Sequence, residues 1–265
     1  MPKKTNYTAK KVDGHGRVNY TKDDDCVWRD LVAQQQPNVN KYAADPYLLG
    51  QAKLNLPADR VPQCIDVSKK LLALTGWKVE PVPALIGFSK FFRMLSERTF
   101  PAASFIRSRE DFNYIEEPDI FHEIYGHTPL LTDERFARFS QVIGQVGQKC
   151  DKADYSWLIR LYWFTIEFGL IRQGSKIKAL GSGLASSPTE LVYSVSDNSV
   201  IRKPFEVIDI LRTPYRIDIH QPIYFVLENV DQLIEASKRN LLSDIKTAQT
   251  MGLHTPVYAE QKKEL

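Results

Sequence analysis

From Trp157 to Ile171 the chain reads Trp-Leu-Ile-Arg-Leu-Tyr-Trp-Phe-Thr-Ile-Glu-Phe-Gly-Leu-Ile, an apolar stretch interrupted only by Arg160, Thr165, Glu167 and Gly169. It is too short and too charged to cross a bilayer, which takes about 20 apolar residues in a row. Such a segment must lie inside a soluble protein with other elements wrapped around it. A chain of 265 residues is long enough to do this without disulfide staples. The pattern fits a helix from Asp154 to Gln173, stopped by Gly174. It also poses a chemical problem. On a helix the neighbours of Glu167 three and four positions away are Trp163, Phe164, Leu170 and Ile171, and Arg160 sits roughly 10 Å off along the axis. A buried carboxylate costs several kcal/mol unless it is paired or coordinates a metal. Glu167 therefore calls for either a basic partner from a distant part of the chain or a metal ion.

Helical periodicity dominates elsewhere. Asp24 to Gln36 places Trp28, Leu31 and Val32 on one face, with Pro37 beyond its end, and Pro62 to Thr75 is closed by Gly76. Ser89 suits the cap of a helix carrying Phe91, Phe92 and Leu95, and Thr132 the cap of one that turns Phe136, Phe139, Val142 and Ile143 inward. Further helices are expected over Pro188 to Val195 and Val230 to Thr247. Strand signals are confined to Lys176 to Leu180, Tyr215 to Ile219 and Ile223 to Leu227. Residues 1–20 are polar and lack periodicity, which predicts a loosely held arm. No repeat or linker divides residues 21–265, so the expected fold is one mainly α domain with a small β component.

The charge balance of 35 basic and 32 acidic residues creates no broad field, so neither nucleic acid nor a membrane surface is an expected partner. Cys26, Cys64 and Cys150 are odd in number and form no CxxC pair. This fits a reducing, cytoplasmic setting rather than a disulfide framework or a structural zinc. No apolar segment follows the first lysines, so no signal peptide is expected.

Two of the five histidines fall in one hexapeptide, His122-Glu-Ile-Tyr-Gly-His127. Pro118 and Asp119 favour the start of a helix there. On a regular α-helix, residues five apart are rotated by about 140°. A left-handed Gly126 ending the helix would bring His127 back beside His122, and Pro129 would prevent its resumption. With Glu167 the pair supplies two imidazoles and one carboxylate, the set that holds non-haem Fe(II) on one face. Other uses remain open: one capping and one core histidine, or a zinc hydrolase with Glu123 as general base. The interval of five, rather than the four usual in zinc peptidases, speaks against the hydrolase.

The segments Glu117-Pro-Asp-Ile-Phe-His122-Glu-Ile-Tyr-Gly-His127-Thr-Pro-Leu130, Tyr162-Trp-Phe-Thr-Ile-Glu167-Phe-Gly-Leu170 and Ile177-Lys-Ala-Leu-Gly-Ser-Gly-Leu-Ala-Ser186 resemble the tetrahydrobiopterin-dependent aromatic amino acid hydroxylases, in particular their short bacterial members. The resemblance runs from about Trp28 past Gln221-Pro222 and takes in Val61 to Ser68 and Phe105-Ile-Arg107. It implies a single, mainly helical catalytic domain that uses O2 and a reduced pterin on an aromatic amino acid.

Residue by residue, it makes His122, His127 and Glu167 the iron ligands. Arg107, steadied by Asp119, would grip the substrate carboxylate, since a guanidinium binds a carboxylate with two prongs. Trp163 and Phe168 would line the ring pocket, and Ser186 would orient the first histidine. Phe91 would stack on the pterin and Glu123 would face it, with Leu85, Ile86 and Tyr162 nearby.

Aligned from Gln221-Pro222, Ile217 falls where the family is acidic in tyrosine hydroxylases and apolar in phenylalanine hydroxylases. This favours L-phenylalanine and leaves tyrosine and tryptophan as alternatives. Asp218, next to it in the expected strand, would point to the opposite face. Ile115 departs from the threonine of many animal enzymes. No counterpart of their regulatory extension or tetramer-forming helix is expected, so the chain reads as a monomer or homodimer.

Overall fold

Thr21 opens the folded body with a capping box: its hydroxyl accepts from the Asp24 amide while the Asp24 carboxylate accepts from the Thr21 amide. The computed structural model describes residues 7–113, 115 and 117–258, so residues 1–6 of the expected arm lie outside the described residues. Over residues 7–20 the backbone is held. Gln63 both donates to and accepts from Val18, at 3.0 and 2.9 Å, and Tyr7 stacks on Phe105.

Helix α1, Lys22–Tyr42, does not stop before Pro37, as the sequence suggests, but contains it. Proline inside a helix costs about 3 kcal/mol. Here the buried stripe of Val27, Trp28, Leu31, Gln35 and Val39 continues across it, and burial of that order offsets the loss. Two helices follow, α2 over Asp45–Leu54 and α3 over Cys64–Thr75. Gly76, at φ 73°, closes α3 as expected.

Strand β1 (Lys78–Val82), helix α4 (Phe88–Ser96) and strand β2 (Thr99–Ala103) form a parallel two-stranded unit, of which the sequence reading has the helix but neither strand. Gly87, not Ser89, caps α4. Helix α5 (Glu134–Lys149) is capped by Asp133, whose side chain accepts from the Arg135 amide, rather than by Thr132.

The expected helix from Asp154 to Gln173 is three pieces. Helix α6, Tyr155–Tyr162, runs into a π-helix, Trp163–Glu167, whose winding is marked by the Phe168 amide donating 2.8 Å to the Trp163 carbonyl. Leu170–Gln173 is then strand β3, hairpin-paired with β4, Lys176–Ala179, around Gly174 at φ 59°. Gly174 thus turns a hairpin instead of ending a helix. Apolar runs buried on both sides do not distinguish helix from strand by periodicity.

Helices α7 (Ser182–Ser186) and α8 (Glu190–Ser196), strand β5 (Ile201–Pro204), helix α9 (Val207–Arg212) and strand β6 (Ile223–Leu227) follow. The four-stranded sheet has the order β4-β3-β6-β5. Tyr215 to Ile219, expected as a strand, is an irregular loop. Val230 to Thr247 is split into α10 (Asp231–Lys238) and α11 (Leu241–Met251), with Asn240 accepting from the Ser243 amide to restart the second.

Phe121–His127 is a second π-helix. Gly126 is not left-handed and does not end it. Its lack of a side chain serves another end: a Cβ there would stand 2.8 Å from the Ser182 carbonyl oxygen and 3.5 Å from the Ser186 Cβ. Gly126 lets α7 press against the histidine-bearing helix. Gly126→Ala should therefore destabilise the protein by about 1–3 kcal/mol through overpacking, measured by urea unfolding. An unchanged midpoint would show that the two helices part without cost.

Candidate active site

Winding with i→i+5 hydrogen bonds stacks residues five apart, and the Phe121–His127 helix does this for its histidines. Their Nε2 atoms are 3.2 Å apart, with the rings at 85° to each other. The second π-helix brings Glu167 to the same point. Its Oε1 lies 3.0 Å from His127 Nε2 and its Oε2 3.7 Å from His122 Nε2. Donors held about 2.1 Å from one ion at right angles are about 3 Å apart, so these separations fit a facial set on a single metal. Glu123 also brings a carboxylate oxygen within 4.8 Å of the imidazole nitrogens, but Glu167 makes the shorter approaches.

The protonation states suit this use. Burial pushes the His122 imidazolium down to about 4 against the attraction of Glu167. Burial alone would raise the Glu167 carboxyl, but His127, His122 and the Ser182 hydroxyl outweigh it and hold it at about 2. The tautomer of His122 follows from Ser186. Its hydroxyl lies 2.8 Å from His122 Nδ1 and 3.0 Å from the Ser182 carbonyl, which can only accept. The single hydroxyl proton thus goes to Ser182, Nδ1–H donates to Ser186, and the Nε2 lone pair faces the space between the donors.

Beside this cluster Arg107 and Asp119 form a two-pronged pair: Nε to Oδ2 at 2.8 Å and Nη2 to Oδ1 at 2.9 Å, both residues buried. Asp119 also accepts from the Arg107 and His122 backbone amides at 3.0 and 3.1 Å. It is the cap of the π-helix as well as the partner of Arg107. Burial would raise its pKa, but the guanidinium and these hydrogen bonds hold it below the usual carboxylate range.

Trp163 and Phe168 lie together, ring centroids 4.5 Å apart, and Tyr215 stacks on Trp163 at 4.4 Å. Nothing in the sequence marked Tyr215, which lies in the loop read as a strand. Phe91, half-buried on α4, meets Tyr162 edge to face at 5.3 Å. Burial, then Glu167 and Asp119, push the Glu123 carboxyl well up. Leu85 and Ile86 occupy the loop between β1 and α4, Leu85 exposed. Ile217 is not brought into this group: it is 64% exposed. Asp218 is not on a strand face but paired with Arg216, at 2.9 and 2.6 Å. Ser182, which sequence reasoning passed over, touches both His127 and Glu167.

Two imidazoles and a carboxylate converging on one point, on a mainly helical fold with a buried Arg107–Asp119 pair and a cluster of aromatic rings alongside, define the class of the site as a candidate metal centre. The chain belongs to the biopterin-dependent aromatic amino acid hydroxylases, whose family model matches residues 3–253. It is 44% identical over 260 residues to the phenylalanine-4-hydroxylase of Vibrio cholerae, covering 98% of this chain and 90% of that protein. The apo structure of the cold-active phenylalanine hydroxylase from Colwellia psychrerythraea 34H superposes with a TM-score of 0.92 at 47% identity, over 94% of this chain and 97% of that one. The cobalt-bound phenylalanine hydroxylase of Chromobacterium violaceum gives 0.86 at 34%, over 88% and 85%. The expected family, the mainly α catalytic domain and dependence on a pterin are thereby established, and the hydrolase alternative falls. Among the described residues no helix is long and apolar enough to cross a membrane.

Removing one partner of a buried ion pair costs about 3–5 kcal/mol because the other charge stays buried, whereas exposed pairs contribute about 0–1 kcal/mol. Asp119→Asn should therefore cost stability of the first order in urea unfolding. Glu228→Gln, which breaks an exposed pair with Arg172, should cost at most the second. Equal effects would mean that Arg107 finds another partner.

Proposed function

We propose that the protein is a phenylalanine 4-monooxygenase. It would convert L-phenylalanine to L-tyrosine with O2 and a reduced pterin such as tetrahydrobiopterin, at Fe(II) held by His122, His127 and Glu167. The observation that carries this reading is the convergence of those three donors within 3.0–3.7 Å of one another next to the buried Arg107–Asp119 pair. The names of the relatives point the same way.

When bound, iron and the reduced pterin supply the activation of oxygen. The protein's residues position and exclude. Asp119 uses both oxygens on Arg107 and so fixes the guanidinium plane. That leaves Nη1, whose contact with the Phe112 carbonyl is long at 3.4 Å, and the outward Nη2 proton for the substrate carboxylate. Phe121 supports the guanidinium from below, 5.6 Å from ring centroid to Cζ.

Held by its carboxylate, the substrate would lay its ring against the surface formed by Trp163 and Phe168, which pack on each other. Phe91 would offer its face, and Glu123 a polar edge, to the pterin beside Tyr162, with Leu85 and Ile86 at the mouth. The loop that carries Ile217 is tied down by Glu190, which accepts from the Gln221 amide at 2.8 Å and the Tyr224 hydroxyl at 2.7 Å. Ile217 stands exposed on that loop, and Asp218 is paired with Arg216. An apolar residue at position 217 and an acid already engaged at 218 favour phenylalanine over tyrosine, whose hydroxyl loses about 1–3 kcal/mol wherever it is left without an acceptor. The three unpaired cysteines suit a cytoplasmic setting.

Purified protein supplied with Fe(II), reduced pterin and each aromatic amino acid in turn should release tyrosine from phenylalanine faster than any product from tyrosine or tryptophan, as read by mass spectrometry. Faster turnover of either other amino acid would reverse the substrate assignment. Arg107→Lys keeps the charge but loses the two-pronged geometry. It should raise KM for the amino acid much more than KM for the pterin, and equal rises would make Arg107 a structural residue only.

A further inference from the structure

Ser182 is fully buried at the first turn of α7. Its hydroxyl lies 3.0 Å from Glu167 Oε2, 2.9 Å from the Ile166 carbonyl oxygen and 3.2 Å from His127 Nε2. A hydroxyl has one proton to give. Of the two oxygen acceptors the carboxylate is ionised and forms the stronger bond, so the Ser182 hydroxyl donates to Oε2.

The backbone around Ser182 is built for that contact. A Cβ on Gly181 would stand 2.1 Å from the Glu167 carbonyl oxygen, and one on Gly183 3.0 Å from the same atom. The flanking residues thus have no room for side chains, and the chain approaches Glu167 closely with Ser182 as the one side chain in the gap. The terminal torsion of a glutamate is broad and sets no orientation by itself. Something must hold the carboxylate plane, and among the described residues the only basic side chains in contact with Glu167 are the two histidines.

We propose that Ser182 is a positioning residue of the metal centre: by donating to Glu167 Oε2 it fixes the carboxylate so that Oε1 stays beside His127 and one face is presented with His122 and His127. The inference rests on the ligand set given under Proposed function.

The test is a Co(II) titration of the metal-free protein followed in the visible d–d bands, with unfolding of the metal-free protein measured alongside. Groups that orient metal ligands are worth about 10–100-fold in metal affinity. Ser182→Ala should therefore weaken Co(II) binding about tenfold or more and alter the band shape, while the metal-free variant remains folded by circular dichroism. Glu167→Gln should abolish the bands. Wild-type affinity and bands in Ser182→Ala, with Glu167→Gln inactive in binding, would overturn the role of Ser182 alone. So would a lowered Tm of the metal-free Ser182→Ala protein with unchanged affinity, since that marks a purely structural hydroxyl. Wild-type bands in Glu167→Gln would remove the ligand set itself, and this inference with it.

Discussion

Residues five apart come to the same side of a helix only when the helix is wound wider than the α form, and both segments that carry the donor atoms are wound that way. Widening stacks His122 over His127, and in the other segment it swings Glu167 out of the register in which it would face only apolar neighbours. π-winding is rare because α-geometry is the more stable alternative, so it persists only where packing enforces it. The enforcement here is close backbone contact on one side of each segment: Gly126 against the Ser182 carbonyl, and Gly181 against the Glu167 carbonyl. Helix α7 wedges between the two π-helices and holds both in place.

Asp119 couples the two halves of the site. One carboxylate caps the histidine helix through the His122 amide and grips Arg107 with both oxygens. The backbone that places His122 and the guanidinium proposed to receive a substrate carboxylate therefore share one anchor. A rigid link of this kind sets the distance between the amino-acid end of a substrate and the donor cluster, which is the requirement for holding one ring position near the reacting centre.

The chemistry was more legible in the sequence than the path of the chain. The histidine pair and Glu167 stood out because each broke a local rule: five-residue spacing on a helix, and an acid without a helical partner. Arg107, Asp119 and Ser186 break no such rule and were reached through resemblance alone. The elements that misled did so for a shared reason. Leu170 and Ile171, adjacent in sequence, are both buried, so they suit helix and strand equally, and pairing with β4 and β6 decides it. Pro37 was read as a stop because local propensity says so, yet the packed face of α1 overrides it. Tyr215 to Ile219 has strand-like residues, but no neighbouring strand takes them up: the sheet ends at β5 and β4. Ser182 was invisible because a serine between two glycines reads as a turn, and only the fold brings it to Glu167.

The ionisable groups of the site also explain why it wants a cation. Asp119 and Arg107 cancel as a buried pair, and His122 is neutral at ordinary pH because burial lowers its pKa to about 4. Glu167 keeps its charge, while Glu123, pushed up by burial and by the other two acids, yields to that charge. Glu167 is thus a buried carboxylate held by the two histidines and the Ser182 hydroxyl. Desolvated charge of this kind is costly, and a divalent ion bound between Glu167 and the imidazoles replaces that cost with an attraction inside a low dielectric. Such an ion would also lower the Glu123 pKa, since positive charge nearby favours the ionised form. That would make Glu123 a better acceptor on the side where the pterin is proposed to lie. The same event that fills the donor set thus changes what the neighbouring subsite offers its ligand.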